Sequence, residues 1–208
     1  MKRRNTLLAS VGLLSLGLAG CASTPRTQPL VALDKDYFGS GLPKESRSFV
    51  TTASPVTAAT TARARVVYWR VSTPPGIRAE SREQHRATVL GALQRLGVQR
   101  LVSSAELQTL LQARGVKFSF DREPDPSEWP LAESELGPFM VLHVEYGFMH
   151  GSRRYVRIQA QDSSEGRVLF DGSYDTIIWS DVKGELFYPA MNLYANWING
   201  QLRLRPAA

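Results

Sequence analysis

The run Phe139-Met140-Val141-Leu142-His143-Val144-Glu145-Tyr146 decides the fold, because it is an almost unbroken apolar strand. A strand of this composition is buried on both faces and therefore belongs in the interior of a sheet. Downstream, polar and apolar residues alternate over residues 154–162, which is the pattern of a strand with one face in the core. Residues 163–166 form a glycine-containing turn, and residues 168–179 return as the next strand. The pattern predicts a β-meander.

Upstream of this meander, strands and helices alternate. The predicted elements are a strand at 66–71, a helix at 80–96 ended by Gly97, a strand at 98–102, a second helix with Ser103 as N-cap and Glu106 at its third position, a short strand at 116–120, and a final helix at 187–199. We therefore predict an α/β fold with a single mixed sheet over residues 65–208. Its element order is βαβα, β-meander and C-terminal α.

The first twenty residues have the regions of a bacterial signal peptide. A lysine and two arginines at positions 2–4 supply a positive start, and an uncharged apolar run follows at 7–18. A secretory segment has about a dozen apolar residues, whereas a membrane-spanning helix needs about 20. The stretch Leu18-Ala19-Gly20-Cys21 resembles the lipobox of bacterial lipoproteins. The resemblance implies cleavage after Gly20 and lipidation of Cys21.

Residues 21–64 are predicted to be a flexible tether between the lipid and the domain. They are rich in Thr, Ser, Ala and Pro, and such a composition buries too little apolar surface to offset the entropy of ordering. Ala22 and Ser23 follow the cysteine with no Asp beside it, which resembles the signal that sorts lipoproteins to the outer membrane. We therefore expect a lipid-anchored protein of the cell outer membrane that faces the periplasm.

Charge and cysteine content exclude several classes of function. Signal cleavage would remove three of the 25 basic residues and none of the 19 acidic ones, which lowers the formal charge from +6 to +3. An exported, lipidated protein also does not meet cytosolic nucleic acid, so we expect no nucleic-acid partner. Cys21 is the only cysteine, and its acylation leaves no thiol for a disulfide, a nucleophile or a zinc site.

The central strands resemble a recurring pattern of envelope proteins. Leu136-Gly137 precedes the apolar strand, the next strand ends near Asp162, and Gly166 in the turn is followed by Val168-Leu169-Phe170. This resembles the TolB amino-terminal domain, the curli-secretion lipoproteins and the lipoprotein activators of penicillin-binding proteins. Because these families bind or assemble other proteins, the resemblance implies a protein that is not an enzyme and has no cofactor.

No catalytic motif appears in the sequence, and the candidate ligand set is incomplete. His143 and Glu145 point to the same side of one strand, but His150 follows in a loop and no third metal ligand is evident. The acids Asp171, Asp175 and Asp181 have no spacing that pairs an acid with a base. We predict no catalytic residue and no metal.

Recognition of a protein partner is therefore the predicted activity. Arg82 and Arg86 belong to an arginine-rich first helix, and Trp179 lies near the end of a strand, so these three are the candidates for partner contact. The leading hypothesis is an envelope accessory or assembly protein that acts in the periplasm by protein–protein binding. The alternative is an oligomeric structural or secretion-channel subunit of an outer-membrane apparatus. The sequence leaves the oligomeric state open.

Overall fold

The computed structural model describes residues 47–118, 122–149, 153–177 and 187–202. The elements, in chain order, are β1 (Arg47–Ala53), α1 (Ala58–Arg63), β2 (Val66–Ser72), α2 (Ala79–Arg95), β3 (Arg100–Val102), α3 (Ser104–Ala113), α4 (Trp129–Leu136), β4 (Met140–Phe148), β5 (Arg153–Asp162), β6 (Val168–Ile177) and α5 (Phe187–Ile198). Among these residues, no helix has the length and apolar composition needed to cross a membrane.

The strands form one mixed sheet, as predicted. Their order across the sheet is β1-β6-β5-β4-β2-β3. β2 lies between β3 and β4 and runs parallel to both, because α2 connects β2 to β3 and α3 with α4 connects β3 to β4. β4, β5, β6 and β1 are joined by antiparallel pairings, which confirms the predicted meander. The α/β fold class and the predicted element order are therefore confirmed.

Two apolar cores lie on opposite faces of the sheet. On the first face, α2 and α5 cover the even-numbered side chains of β4, from Met140 to Tyr146. On the other face, α3 and α4 cover only the first part of β2 and β4, where Tyr68 and Val141 are fully buried. The apolar strand of the sequence is thus buried on both faces only in its first half. The rest of the second face has no helix over it within the described residues.

Residues 47–63 lie in the segment that we predicted to be a tether, yet they form β1 and α1. β1 pairs with β6, and the indole nitrogen of Trp197 in α5 donates a hydrogen bond to the carbonyl of Ser54 (2.8 Å). Thr57 caps α1, because its hydroxyl accepts a hydrogen bond from the backbone nitrogen of Thr60. The folded part therefore begins before residue 65. The threonines of this segment serve as strand and cap residues.

Other local predictions have mixed outcomes. Ser103 is the N-cap of α3, as predicted, and its Oγ accepts a hydrogen bond from the backbone nitrogen of Glu106 (3.2 Å). The carboxylate of Glu106 instead pairs with Arg100 (2.7 Å). The predicted strand at 116–120 is wrong over residues 116–118, which form no strand, and its last two residues lie outside the described ranges.

Candidate partner-binding site

The uncovered part of the second face is polar. Side chains that alternate with the core residues of each strand point to this face, which is why partly exposed and buried residues alternate in β5 from Tyr155 onward. Cross-strand neighbours on this face include Glu145 opposite Arg157 and His143 opposite Gln159. We call this surface the open face; its main polar residues are Arg70, Ser72, His143, Glu145, Tyr155, Arg157, Gln159, Asp171, Ser173 and Asp175.

A bidentate ion pair lies at the centre of the open face. The guanidinium of Arg157 donates to both carboxylate oxygens of Asp171, from Nε at 2.8 Å and from Nη2 at 2.5 Å. Gln159 donates a third hydrogen bond to the same carboxylate (3.2 Å). The hydrogen bond from Arg157 holds the pKa of Asp171 below its usual range, so this carboxylate stays ionised.

A second cluster lies toward the end of β4. The hydroxyl of Tyr155 donates to Oε1 of Glu145 (2.7 Å), and this hydrogen bond raises the pKa of the tyrosine. The ring of Tyr155 lies across Gly147, where a Cβ would come within 2.3 Å of it, so glycine is required for this placement. Opposite Tyr155, Asp175 is 3% exposed, and one of its oxygens accepts a hydrogen bond from Arg153 (3.0 Å).

His143 lies on the open face, on the same side of β4 as Glu145. Its Nε2 is 2.9 Å from the hydroxyl of Ser72. Burial and the neighbouring Arg70 lower its pKa, which favours the neutral imidazole. Within the described part of the chain, no group of three His, Cys, Asp or Glu side chains is placed to hold a metal ion. His150 and Asp181 lie outside the described residues.

A groove of about 280 Å³ opens on the same face. Two half-exposed apolar side chains line it, Phe49 of β1 (48% exposed) and Met149 just after β4 (50% exposed). The carboxylates of Glu145 and Asp175 and the ring of Tyr155 line it as well. Phe148, 46% exposed, lies next to Met149 on the other side of the strand, against Tyr146 and Arg154. We call Phe49, Phe148 and Met149 the apolar rim.

The residues selected from the sequence have different positions. Arg82 and Arg86 are both exposed on α2 and line a second groove, of about 470 Å³, beside the end of β2 at Ser72. The structure therefore brings these two arginines together. Trp179, Gly20 and Cys21 lie outside the described residues, so their roles in partner contact, cleavage and lipidation stay predictions.

The apolar rim was missed in the sequence. Phe49 belonged to the predicted tether, and only its place in β1, next to β6, brings it to the groove. Met149 follows a buried strand and gives no periodic signal of its own. The alternation of Tyr155, Arg157 and Gln159 with apolar residues indicated that one face of the sheet is polar. It did not indicate which helices would leave that face open.

Neither a protein-family model nor a curated protein matches the sequence. Several solved structures align with part of the chain. The LpoB C-terminal domain from Escherichia coli aligns with 53% of this chain and 81% of its own at 18% identity, with a TM-score of 0.41. The PelC dodecamer from Paraburkholderia phytofirmans aligns with 76% of this chain and 99% of its own at 13% identity, with a TM-score of 0.42.

Lipoprotein GNA1162 from Neisseria meningitidis aligns with 63% of this chain and 96% of its own at 16% identity, with a TM-score of 0.38. At these identities and TM-scores, the likenesses do not identify a family for the chain. The resemblance to the TolB, curli-secretion and penicillin-binding-protein activator group therefore stays a prediction.

Proposed function

We propose that this chain is a lipid-anchored accessory protein of the cell outer membrane that binds another envelope protein in the periplasm. The lipid anchor is supported by the stretch that ends at Cys21, and the binding role is supported by the apolar rim and the open face. The domain acts by recognition and not by catalysis. Ion pairs and hydrogen bonds within the open face hold its polar side chains in fixed positions for a partner. They join Asp171 to Arg157, Asp175 to Arg153, and Glu145 to Tyr155.

One observation carries the proposal. The described part of the chain has four exposed large hydrophobic side chains; two of them, Phe49 and Met149, line the groove of the open face, and a third, Phe148, lies beside Met149 on the opposite face. Single exposed apolar residues are ordinary, but a cluster bordered by polar groups is typical of a protein–protein contact. The fourth, Leu131 in α4, is 45% exposed and does not line the groove, so it serves as a matched control.

The test is a crosslinking pull-down from intact cells with the full chain. Variants Phe49→Ser and Met149→Ser are compared with Leu131→Ser, and each is also made with Cys21→Ser to prevent lipidation. We expect one envelope protein to be captured by the wild type and by Leu131→Ser, and to be reduced in both rim variants. Equal capture by all variants would refute the role of the rim.

Two further outcomes of the same experiment are informative. If the captured protein is a second copy of this chain, the result would favour the alternative, an oligomeric structural or secretion-channel subunit, over the accessory role. If Cys21→Ser still captures the partner after purification in detergent, the domain itself is the recognition element, as proposed. Loss of capture there would instead assign recognition to the lipidated N-terminus.

A further inference from the structure

The groove on the open face has a local charge opposite to that of the chain. The chain as a whole is basic, with 25 Lys and Arg residues against 19 Asp and Glu. The groove contains three carboxylates, those of Glu145, Asp171 and Asp175, and one guanidinium, that of Arg157. Since Asp171 is paired with Arg157 and Asp175 with Arg153, the carboxylate of Glu145, which is bonded by the neutral hydroxyl of Tyr155, supplies the net negative charge of the groove.

Glu145 and Asp175 each have one carboxylate oxygen that accepts no hydrogen bond from a described residue. Glu145 uses Oε1 to accept from Tyr155, and no described residue donates to its other oxygen. Asp175 uses Oδ2 for Arg153, while its Oδ1 is buried and has no hydrogen-bond partner among the described residues. A buried carboxylate oxygen without a donor is costly, because its hydration is lost and nothing replaces it. A donor supplied by a ligand would remove this cost.

Apolar and aromatic side chains flank the carboxylates. Phe49 and Met149 form the half-exposed walls of the groove, and Tyr155, on the strand between those of Glu145 and Asp175, lines it as well. Aromatic faces and thioethers hold the aliphatic stem of a lysine or arginine side chain, whose cationic head then reaches the acids beyond it. Because Oδ1 of Asp175 is buried in the free protein, the head reaches it only when the side chains that cover this oxygen move aside.

We propose that this groove binds a lysine or arginine side chain presented by the protein partner. This inference rests on the proposed function and adds the chemistry of the contact. The cationic head lies between Glu145 and Asp175, and the stem packs against Phe49, Met149 and Tyr155. A neutral hydroxyl or amide can donate to the buried oxygen of Asp175, but only a cationic head also compensates the charge of Glu145.

The methionines of the chain provide a direct reporter for the test. Of the four, Met1 is in the signal peptide, Met140 and Met191 are fully buried, and Met149 lines the groove. The mature lipidated chain, labelled at the methionine methyl groups, is reconstituted in lipid nanodiscs and titrated with N-acetyl-lysine methylamide. N-acetyl-norleucine methylamide, which has the same stem length without the charge, is the control probe.

We expect the lysine probe to shift the Met149 methyl resonance in a saturable way and to leave Met191 unchanged. The variant Glu145→Gln should weaken this binding by about three- to ten-fold, as expected for the loss of one partly exposed charged contact. Glu165→Gln, in a turn where the side chain is 66% exposed, should not change it. Because Asp175→Asn removes a buried ion-pair partner and can unfold the chain, Glu145→Gln carries the test.

Equal shifts from the lysine and norleucine probes, or unchanged binding in Glu145→Gln, would overturn the inference. The pull-down separates this failure from a failure of the proposed function. Capture that depends on the rim, without lysine binding, would leave the accessory role in place and remove the basic side chain as its ligand. Lysine binding without rim-dependent capture would support the site and refute the partner role.

Discussion

The pair of Arg157 and Asp171 allows a quantitative test of the open face. In a double-mutant cycle, Arg157→Gln and Asp171→Asn are made singly and together, and the free energy of unfolding is measured for all four proteins. The side chain of Asp171 is 10% exposed and that of Arg157 is 43% exposed, so the pair lies between a surface ion pair and a buried one. Exposed pairs contribute about 0.2–1 kcal/mol, whereas breaking a buried pair costs about 3–5 kcal/mol.

The geometry places the expected coupling between these limits. Two charge-assisted hydrogen bonds in a bidentate arrangement favour a coupling free energy above that of a surface pair. Solvent screening of the exposed Arg157 keeps it below that of a buried pair. We expect a coupling free energy of about 1.5 kcal/mol at pH 7, which corresponds to a change in Tm of roughly 3–6 °C for a domain of this size. Urea titrations followed by circular dichroism supply the four values.

The pH dependence gives the sign of the same interaction. Because Arg157 lowers the pKa of Asp171 in the folded protein, the stabilisation is present above the unfolded pKa of about 3.9 and is lost as the pH falls through the lower folded pKa. The coupling should therefore decrease as the pH falls below about 3.9, over the range in which the domain stays folded. A coupling near zero at pH 7, or one that does not decrease over that range, would refute a preorganised ion pair.

Three other predictions concern single sites. Gly147→Ala should lower the free energy of unfolding, measured by urea titration, by about 1–2 kcal/mol, because the new Cβ displaces Tyr155 from its hydrogen bond to Glu145. A variant as stable as the wild type would contradict this. Ser103→Ala should cost about 1 kcal/mol in the same assay through loss of the cap of α3, and a neutral result would show that the cap is dispensable. Because the pKa of His143 is lowered in the folded protein, the unfolded chain binds a proton that the folded chain does not as the pH falls below about 6.5, and the free energy of unfolding should therefore decrease. His143→Gln should make the free energy of unfolding less dependent on pH between about pH 7.5 and 5.5. An unchanged dependence would assign it to another group.

The sequence predicted the parts of the fold that local pattern controls. The alternation in β5 and the apolar run of β4 are properties of neighbouring residues, so the meander could be inferred without a structure. The N-cap at Ser103 and the glycine that ends α2 are equally local. The residues that determine such an element lie within the element itself or in the turn next to it.

β1 could not be inferred in this way. Five of its seven residues are polar or small, and its stability depends on pairing with β6, far along the chain. The hydrogen bond from Thr51 to the carbonyl of Asp171 spans 120 positions. The same long-range contact brings Phe49 to the groove. The candidate site therefore depends on a strand whose composition is that of a linker.

The arginines of α2 show a second limit of prediction from the sequence. The sequence predicted Arg82 and Arg86 as candidates for partner contact, and the structure places both in one groove, separate in its lining from the groove of the open face. Their role in partner contact stays a prediction. Spacing along a helix gives no information on the open face, which is created by the sheet.

Site-specific photocrosslinking in living cells tests the central claim most directly. A photoreactive phenylalanine analogue is introduced into the full chain at Met149 or, as the control, at Leu131, two side chains of similar exposure (50% and 45%). The account predicts an adduct with one envelope protein from position 149 and none from position 131. Adducts of equal yield from both positions, or an adduct from position 131 alone, would contradict it.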